Sequence, residues 1–531
     1  MTNPIKMIRP VPDATFPGGG RPLVTRLLGL ATGLAIASAA FAAPAPTPEP
    51  APPPADLEWL NRVTFGVDSA SLARFEKLGR KRFLDEQLSG RNDALPALIA
   101  QQVEVLDVTR LSPTAVMAET VAENQRIKAI PEGDEKQAAR KALNERGNQF
   151  AYQAARVELL RAVYSPAQLK EQMTWFWLNH FSVFQYKANL RWLVGDYAEH
   201  AIRPHALGHF RDLVMATLTH PAMLEYLDNA QNANGHINEN YARELMELHT
   251  LGVDAGYTQA DVQQLAHILT GIGVNFADDK TPKLKPEWQA LYRRAGNFEF
   301  NPARHDFSDK TLLGHAIRGA GFAEVEQAVD LIIRQPACAK FISRELATYF
   351  VADAPPPALV DRMAKTFQRT NGDIAAVLRT LFESRELTQS LGKKFKDPMQ
   401  FVVASIRLAY DGRPIANTHP LVNWLNGLGE PLFGRLTPDG YALTEAAWTG
   451  TGQLSRRFDI ARAIASGNAG LFDPEDGSSA TTTGFPQLSS RLYYAAIEPR
   501  LSAPVREALD RANSQQEWNT FLLASPDANY R

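Results

Sequence analysis

Apolar residues recur at helical spacing over most of the chain. Val262, Leu265, Ile268 and Leu269 follow at helical spacing, and Asp397-Pro398 reads as the start of another helix with Phe401, Val402 and Ile406 on one face. Helical periods also run through residues 323–334, 339–351 and 359–370. Thr258-Gln259-Ala260-Asp261 reads as a capping box before the first run, which Gly271 ends. Ser165-Pro166-Ala167-Gln168 reads as another helix start: a serine cap, a proline at the first helical position, and a glutamine three residues after the serine. Residues 101–148 are charged and Ala-rich, which predicts helices with one wet face. Strand signals are scarce. Phe298-Glu299-Phe300 is a local pairing candidate, and no sustained alternation follows it. The pattern predicts an all-α fold: one large multi-helix domain, in one lobe or two, with few or no short strands.

The pattern also sets boundaries. Lys6, Arg9, Arg21 and Arg26 precede an apolar, uncharged run from Leu27 to Ser38, and Ala40-Phe41-Ala42 fits the small-x-small cleavage rule. Residues 1–42 are therefore expected to be a signal peptide, with a retained membrane anchor as the alternative. Residues 43–55 are almost wholly Ala and Pro and read as an extended tether. The helical domain is expected over 56–470, and peripheral helices with a loose tail over 471–531. Residues 411–453, rich in Gly, Pro and aromatics, read as a long ordered loop or as a lid over a cleft.

Composition narrows the classes. A signal peptide implies export to the periplasm or beyond. The chain carries a formal charge of −2, and losing residues 1–42, which hold net +3, leaves −5. That balance argues against a nucleic-acid partner. No later run is apolar enough to span a bilayer. Cys338 is the only cysteine, so the fold must rely on its core rather than on internal disulfides, and Cys338 reads as a small buried hydrophobe. Walker loops, Gly-rich dinucleotide turns, His-Glu-x-x-His and haem-attachment cysteines are all missing from the sequence.

Three segments carry candidate chemistry. In Asn238–His249 an ideal helix puts Glu239, Asn240, Arg243, Glu244 and Glu247 on one half and Tyr241, Ala242, Leu245, Leu248 and His249 on the other. It is either a solvated charged helix, with i,i+4 pairs Glu239–Arg243 and Arg243–Glu247, or one wall of a polar site. Asn179 and His180 sit among the aromatics Trp175, Phe176, Trp177 and Phe181. His180 is then either a satisfied core histidine or a ligand or general base. His305-Asp306 lies in a loop, where it could ligate or transfer protons, or where Asp306 could simply cap a turn. The Asn-rich loop Asp228–Gly235 fails the calcium-loop template.

Several of these segments together, in order, resemble one bacterial family, domain of unknown function 1800: Leu60-Asn61-Arg62-Val63-Thr64-Phe65-Gly66, Phe176–Phe181, Pro221–Asn229, Asn238–Gly252, Tyr257–Gly271, and His305-Asp306-Phe307 with Lys310 and Gly314. They span residues 57 to about 470. The resemblance implies an exported helical protein whose gene often neighbours one for an exported sulfatase-like or alkaline-phosphatase-like protein. It implies no reaction. His249 stands where the family more often has Phe. Two functions are expected. One is a hydrolase or lyase acting on an envelope or extracellular polymer. Glu244, Glu247, Arg243 and Asn179 would do its chemistry, and His180, His305 and Asp306 would hold a divalent metal or position water. The other is a non-catalytic scaffold for the sulfatase-like partner, with the acidic helix as an internal network.

Overall fold

The longest helix, Asp134–Tyr164, changes character halfway along. Its first half is mostly exposed and charged, as expected, and from Phe150 onward nearly every residue is buried. It belongs to a computed structural model that describes residues 54–277, 282–475 and 484–531. The predicted signal peptide lies outside the described residues, as does the tether up to Pro54, where the first helix, Pro54–Val63, begins. Gln168–His180, Leu190–Asp196 and Pro398–Tyr410 are among the helices that pack on Asp134–Tyr164. Gly195 permits the close approach there, because a Cβ at that position would stand 3.2 Å from Ala154 Cβ on the long helix and 2.3 Å from Val108 Cγ2 on the short helix Asp107–Arg110.

Gln168–His180 is buried on every face and carries polar groups inward with its apolar ones. Its start differs from the expected capping box. Ser165 ends the preceding helix, and its hydroxyl only accepts a 3.3 Å bond from Ala167 N. The Gln168 side chain instead accepts from Phe65 N at 3.0 Å and donates to Ser165 O at 2.8 Å, tying the helix to the segment after Pro54–Val63. The other two starts form as read. Thr258 and Asp261 cap reciprocally, and Asp397 accepts from Gln400 N at 2.7 Å. The periodic stretches become the helices Phe322–Ile333, Pro336–Phe350 and Pro357–Arg369.

Strand content is small. Phe298–Phe300 pairs antiparallel with Ile272–Val274 on one side and Arg293–Ala295 on the other, and Lys310–Leu312 forms a hairpin with His315–Ile317. The described chain is predominantly all-α. No helix among the described residues is long and apolar enough to cross a membrane. Cys338 is fully buried, and burial pushes its thiol well up.

Buried arginines do the cross-linking that cysteines cannot. Arg62 donates to Ser390 O at 2.8 Å and also reaches Phe350 O and Arg531 O. Arg407 donates to Gly66 O at 2.8 Å, reaches Val163 O, and pairs with Asp68 at 2.9 Å. Residues 484–531, where the C-terminal helices and tail are expected, contribute to this web. Gln515–Ala524 packs against Thr451–Ser466, and Arg531, 2% exposed, donates to Gln172 Oε1 and Tyr349 O, each at 2.9 Å. The guanidinium fork suits this role, since one side chain satisfies several carbonyls at once.

The two classes of arginine should respond differently to removal. Arg407→Met strands Asp68 and two carbonyls inside the protein and should cost about 3–5 kcal/mol. Arg146→Ala, whose partner Glu119 is exposed, should stay within about 0.5 kcal/mol. Urea unfolding of both variants checks the contrast.

Candidate functional site

The segment after Leu190–Asp196 does not continue as a regular α-helix. It widens into a π-helical stretch, Tyr197–Ile202, and tightens into a 3-10 turn, Arg203–His205. Pro204 explains the change, since it has no N–H to continue the ladder. This segment places Asp196, Glu199, His200 and Arg203 side by side.

Arg203 is 6% exposed at its side chain and meets three carboxylates. It bonds both Glu158 oxygens at 3.0 Å and Glu199 at 3.0 Å, and it reaches Glu171. Arg161 adds a second guanidinium, bidentate on Glu199 at 3.1 and 2.9 Å. Three carboxylates face two guanidiniums, so the cluster has one negative charge in excess. Burial pushes Glu158 up to about 7 against the pull of Arg203, which lets that carboxyl take the balancing proton. Glu199 is held below its ordinary range by the two guanidiniums, despite burial.

One turn away, Asp196 sits between two imidazoles. His200 Nδ1 donates to Asp196 Oδ1 at 2.7 Å, and His220 Nε2 donates to Oδ2 at 3.0 Å. Because His220 Nδ1 accepts from Ala222 N at 3.1 Å, its proton must be on Nε2. Against burial, which raises it, the bonds from His220 and His200 hold Asp196 below the usual carboxylate range. His200 Nε2 has no partner among the described residues. Two cavities meet at this ring, one of about 390 Å³ bordered by Ser112, Glu158 and Glu199, the other of about 430 Å³ bordered by Thr114, Thr219 and His220. Pro113, Asp196 and His200 belong to both. An imidazole oriented by a carboxylate, with its second nitrogen free at a cleft, is the geometry of a general base.

The residues singled out from the sequence lie elsewhere. The Asn179 side chain pairs with a loop backbone, donating to Tyr441 O at 2.9 Å and accepting from Tyr441 N at 2.6 Å. Gly440 beside it has φ +70°, and a Cβ there would stand 2.3 Å from Asn179 O. The 411–453 stretch contains the helix His419–Gly427, and from Pro431 on it is stitched down by bonds such as Gln185 N to Phe433 O at 2.9 Å. His180 Nε2 donates to His249 O at 2.9 Å, and burial brings its imidazole down to about 4.

The acidic stretch is not one continuous α-helix. Asn240–Glu244 is α-helical and Leu245–Thr250 is π-helical, with Leu251 N bonding Met246 O at 2.8 Å. The wider turn ends the ideal register partway. Arg243 pairs with Glu239 at 3.1 Å and donates to Gln259 at 3.0 Å, while the Arg243–Glu247 pair does not form. Glu244 is half-buried with no hydrogen-bond partner among the described residues. Burial, then Glu247, raises its carboxyl. His249 is fully buried, and neither ring nitrogen has a partner among the described residues.

His305 and Asp306 face different partners. His305 Nε2 donates to Glu324 at 2.8 Å and Nδ1 to Thr270 O at 2.8 Å, and Lys310 completes a buried knot on Glu324 at 2.7 Å. Both imidazole nitrogens are thus engaged. Asp306 pairs instead with His267 at 2.7 Å; despite burial, bonds from Ser308 and His267 bring it down to about 2. The divalent-metal reading therefore lacks its ligand set: among the described residues no group of three or more His, Cys, Asp or Glu side chains converges to hold an ion.

The Asp196–His200–His220 group was missed in the sequence, although a signal existed. Asp196–His200 and Glu199–Arg203 are both i,i+4 pairs just before a proline. His220 lies far along the chain and could not be joined to them.

The chain matches the family model described as "Protein of unknown function (DUF1800)" over residues 58–530, and it belongs to that family. No curated protein and no solved structure matches it.

The buried imidazoles predict a pH dependence. With His180 at about 4 in the fold and the ordinary value at 6.5 when unfolded, the unfolded chain binds more protons between them. Stability should therefore fall as pH drops from 6.5 to about 4. His249 adds to the slope because burial also depresses it. His249→Phe should flatten the slope and, by removing two unpaired buried nitrogens, raise stability by about 1–3 kcal/mol at pH 7. Glu244→Ala, which removes an unpaired carboxylate beside Glu247, should change stability by less than about 0.5 kcal/mol. Thermal unfolding across pH checks all three.

Proposed function

We propose that this protein is a hydrolase or lyase that uses His200 as its general base. The reading rests on one observation: His200 Nδ1 is bonded to Asp196 at 2.7 Å, which leaves Nε2 free on an exposed ring, 73% accessible at its side chain, that borders two adjoining cavities. Nε2 would take a proton from a water in hydrolysis, or from the carbon beside an activating group in elimination. Asp196 fixes the ring orientation and stabilises the imidazolium as it forms. His220 holds the other carboxylate oxygen, so Asp196 cannot swing away. The paired cavities suit a substrate longer than one chemical group, in keeping with a polymer chain laid across His200. Arg110 borders one cavity and has no carboxylate partner among the described residues, which favours an anionic group on that substrate. Glu244, Glu247, Arg243 and Asn179 take no part in this scheme.

A panel of chromogenic esters, phosphate esters and glycosides, with acidic polysaccharides followed by ultraviolet absorbance, tests the proposal. For any substrate turned over, His200→Gln should lower kcat/KM by about 10²–10⁴ while the variant keeps its melting temperature. Asp196→Asn should lower it too. Full activity in His200→Gln contradicts the reading. No turnover across the panel would favour the non-catalytic role beside a sulfatase-like partner.

A further inference from the structure

A small cavity that shares no lining residue with those at His200 holds hydrogen-bond donors without acceptors. It measures about 40 Å³, room for about three water-sized groups. Lys396 and Arg500 border it, with Asn61 and Ser405. Lys396 is 8% exposed, and its ammonium donates to one acceptor, Ala528 O, at 2.7 Å. That leaves two of its three hydrogens unspent. Arg500 Nε is shut off from solvent with no partner, and its remaining nitrogens bond nothing among the described residues. Asn61 Nδ2 and the Ser405 hydroxyl also have no described partner; the Asn61 oxygen is occupied by Val67 N. Asp527 is the one carboxylate on the wall, and it accepts from Ser502 N at 2.6 Å.

The charges agree with the donors. Two cations border the cavity against one carboxylate, and Arg457 and Arg531 raise the positive potential further, opposed at Arg500 by Glu58 and Asp527. Burial, with Arg500, Arg531 and Arg457, brings the Lys396 ammonium down to about 7. Lys396 is buried and Arg500 half-buried, with only part of their charge opposed, and a bound anion with several acceptor oxygens would supply both the missing charge and the missing acceptors.

We infer that Lys396, Arg500, Asn61 and Ser405 form a binding site for a small oxyanion, a phosphate, sulfate or carboxylate group. The site lies apart from His200 and does not depend on the hydrolase or lyase reading. One oxyanion supplies acceptors for the free Lys396 and Arg500 hydrogens and for the two neutral donors. The fit is to an ion or a short headgroup, since, apart from Ser525 and Asp527, the side chains on the remaining wall are apolar, including Val67, Leu408 and Leu522.

Isothermal titration calorimetry and thermal unfolding of the full chain, with sodium phosphate, sulfate and acetate against chloride at matched ionic strength, test the site. The expected result is saturable uptake of one anion per chain with a rise in Tm. A phosphate or sulfate response assigns a tetrahedral oxyanion, and a response to acetate alone assigns a carboxylate. Arg500→Gln should weaken uptake by about tenfold or more. Lys396→Met removes a buried cation, so it should fold at least as stably without added anion and lose most of the Tm response. Tm that tracks ionic strength without saturation, or saturation unchanged in both variants, overturns the inference.

Discussion

One guanidinium fixes the part of the fold where the cleft lies. Arg203 reaches Glu158 on Asp134–Tyr164, Glu171 on Gln168–His180, and Glu199 on its own segment. Three pieces of backbone are therefore locked at one point. Burying these charges is expensive, and the expense is offset only because the fork meets its carboxylates in good geometry. Arg161 and the proton that Glu158 can hold bring the cluster towards neutrality. With Arg203 held there, the π-helical stretch before it cannot rotate, and Asp196 and His200 keep their place at the cavity mouth.

The same device recurs through the molecule. Arg62, Arg407 and Arg531 join carbonyls and side chains hundreds of residues apart in sequence. Each joint is polar, buried and specific in geometry, so together they fix one arrangement of helices where apolar packing alone would tolerate several. Not every buried polar group is repaid in this way. Among the described residues His249 bonds through neither nitrogen, and Lys396 and Arg500 keep unspent donors. The two cases differ in surroundings. His249 lies against the ring of Phe181, 5.0 Å away, whereas Lys396 and Arg500 border an open volume. A buried polar group enclosed by rings lowers stability; one beside a cavity lined with donors has room for a ligand.

Local signals in the sequence translated well. The periodic stretches became helices, two of three proposed starts capped as read, and Phe298–Phe300 paired. The failures share a cause. Ser165 looked like a cap, but Gln168 found better partners at Phe65 and Ser165 O, one of them more than a hundred residues away. The acidic stretch looked like one helical face until the π-helical turn moved Glu247 out of reach of Arg243. Asn179, His305 and Asp306 were recognised as unusual, yet their partners, Tyr441, Glu324 and His267, are set by tertiary packing. The Asp196–His200 pair was legible as a spacing. Its cavity was not, because the walls come from loop, helix and strand segments that no local pattern connects.

The functional account depends on which nitrogen of His200 carries the proton. Long-range ¹H–¹⁵N correlation spectra of the ¹⁵N-labelled protein, with His200→Gln to assign the signals, measure this directly. The account predicts a neutral His200 ring protonated on Nδ1, with Nε2 bare, and loss of that preference in Asp196→Asn. A neutral ring protonated on Nε2 in the wild type, unchanged by Asp196→Asn, would show that Asp196 does not orient the imidazole and would contradict the account.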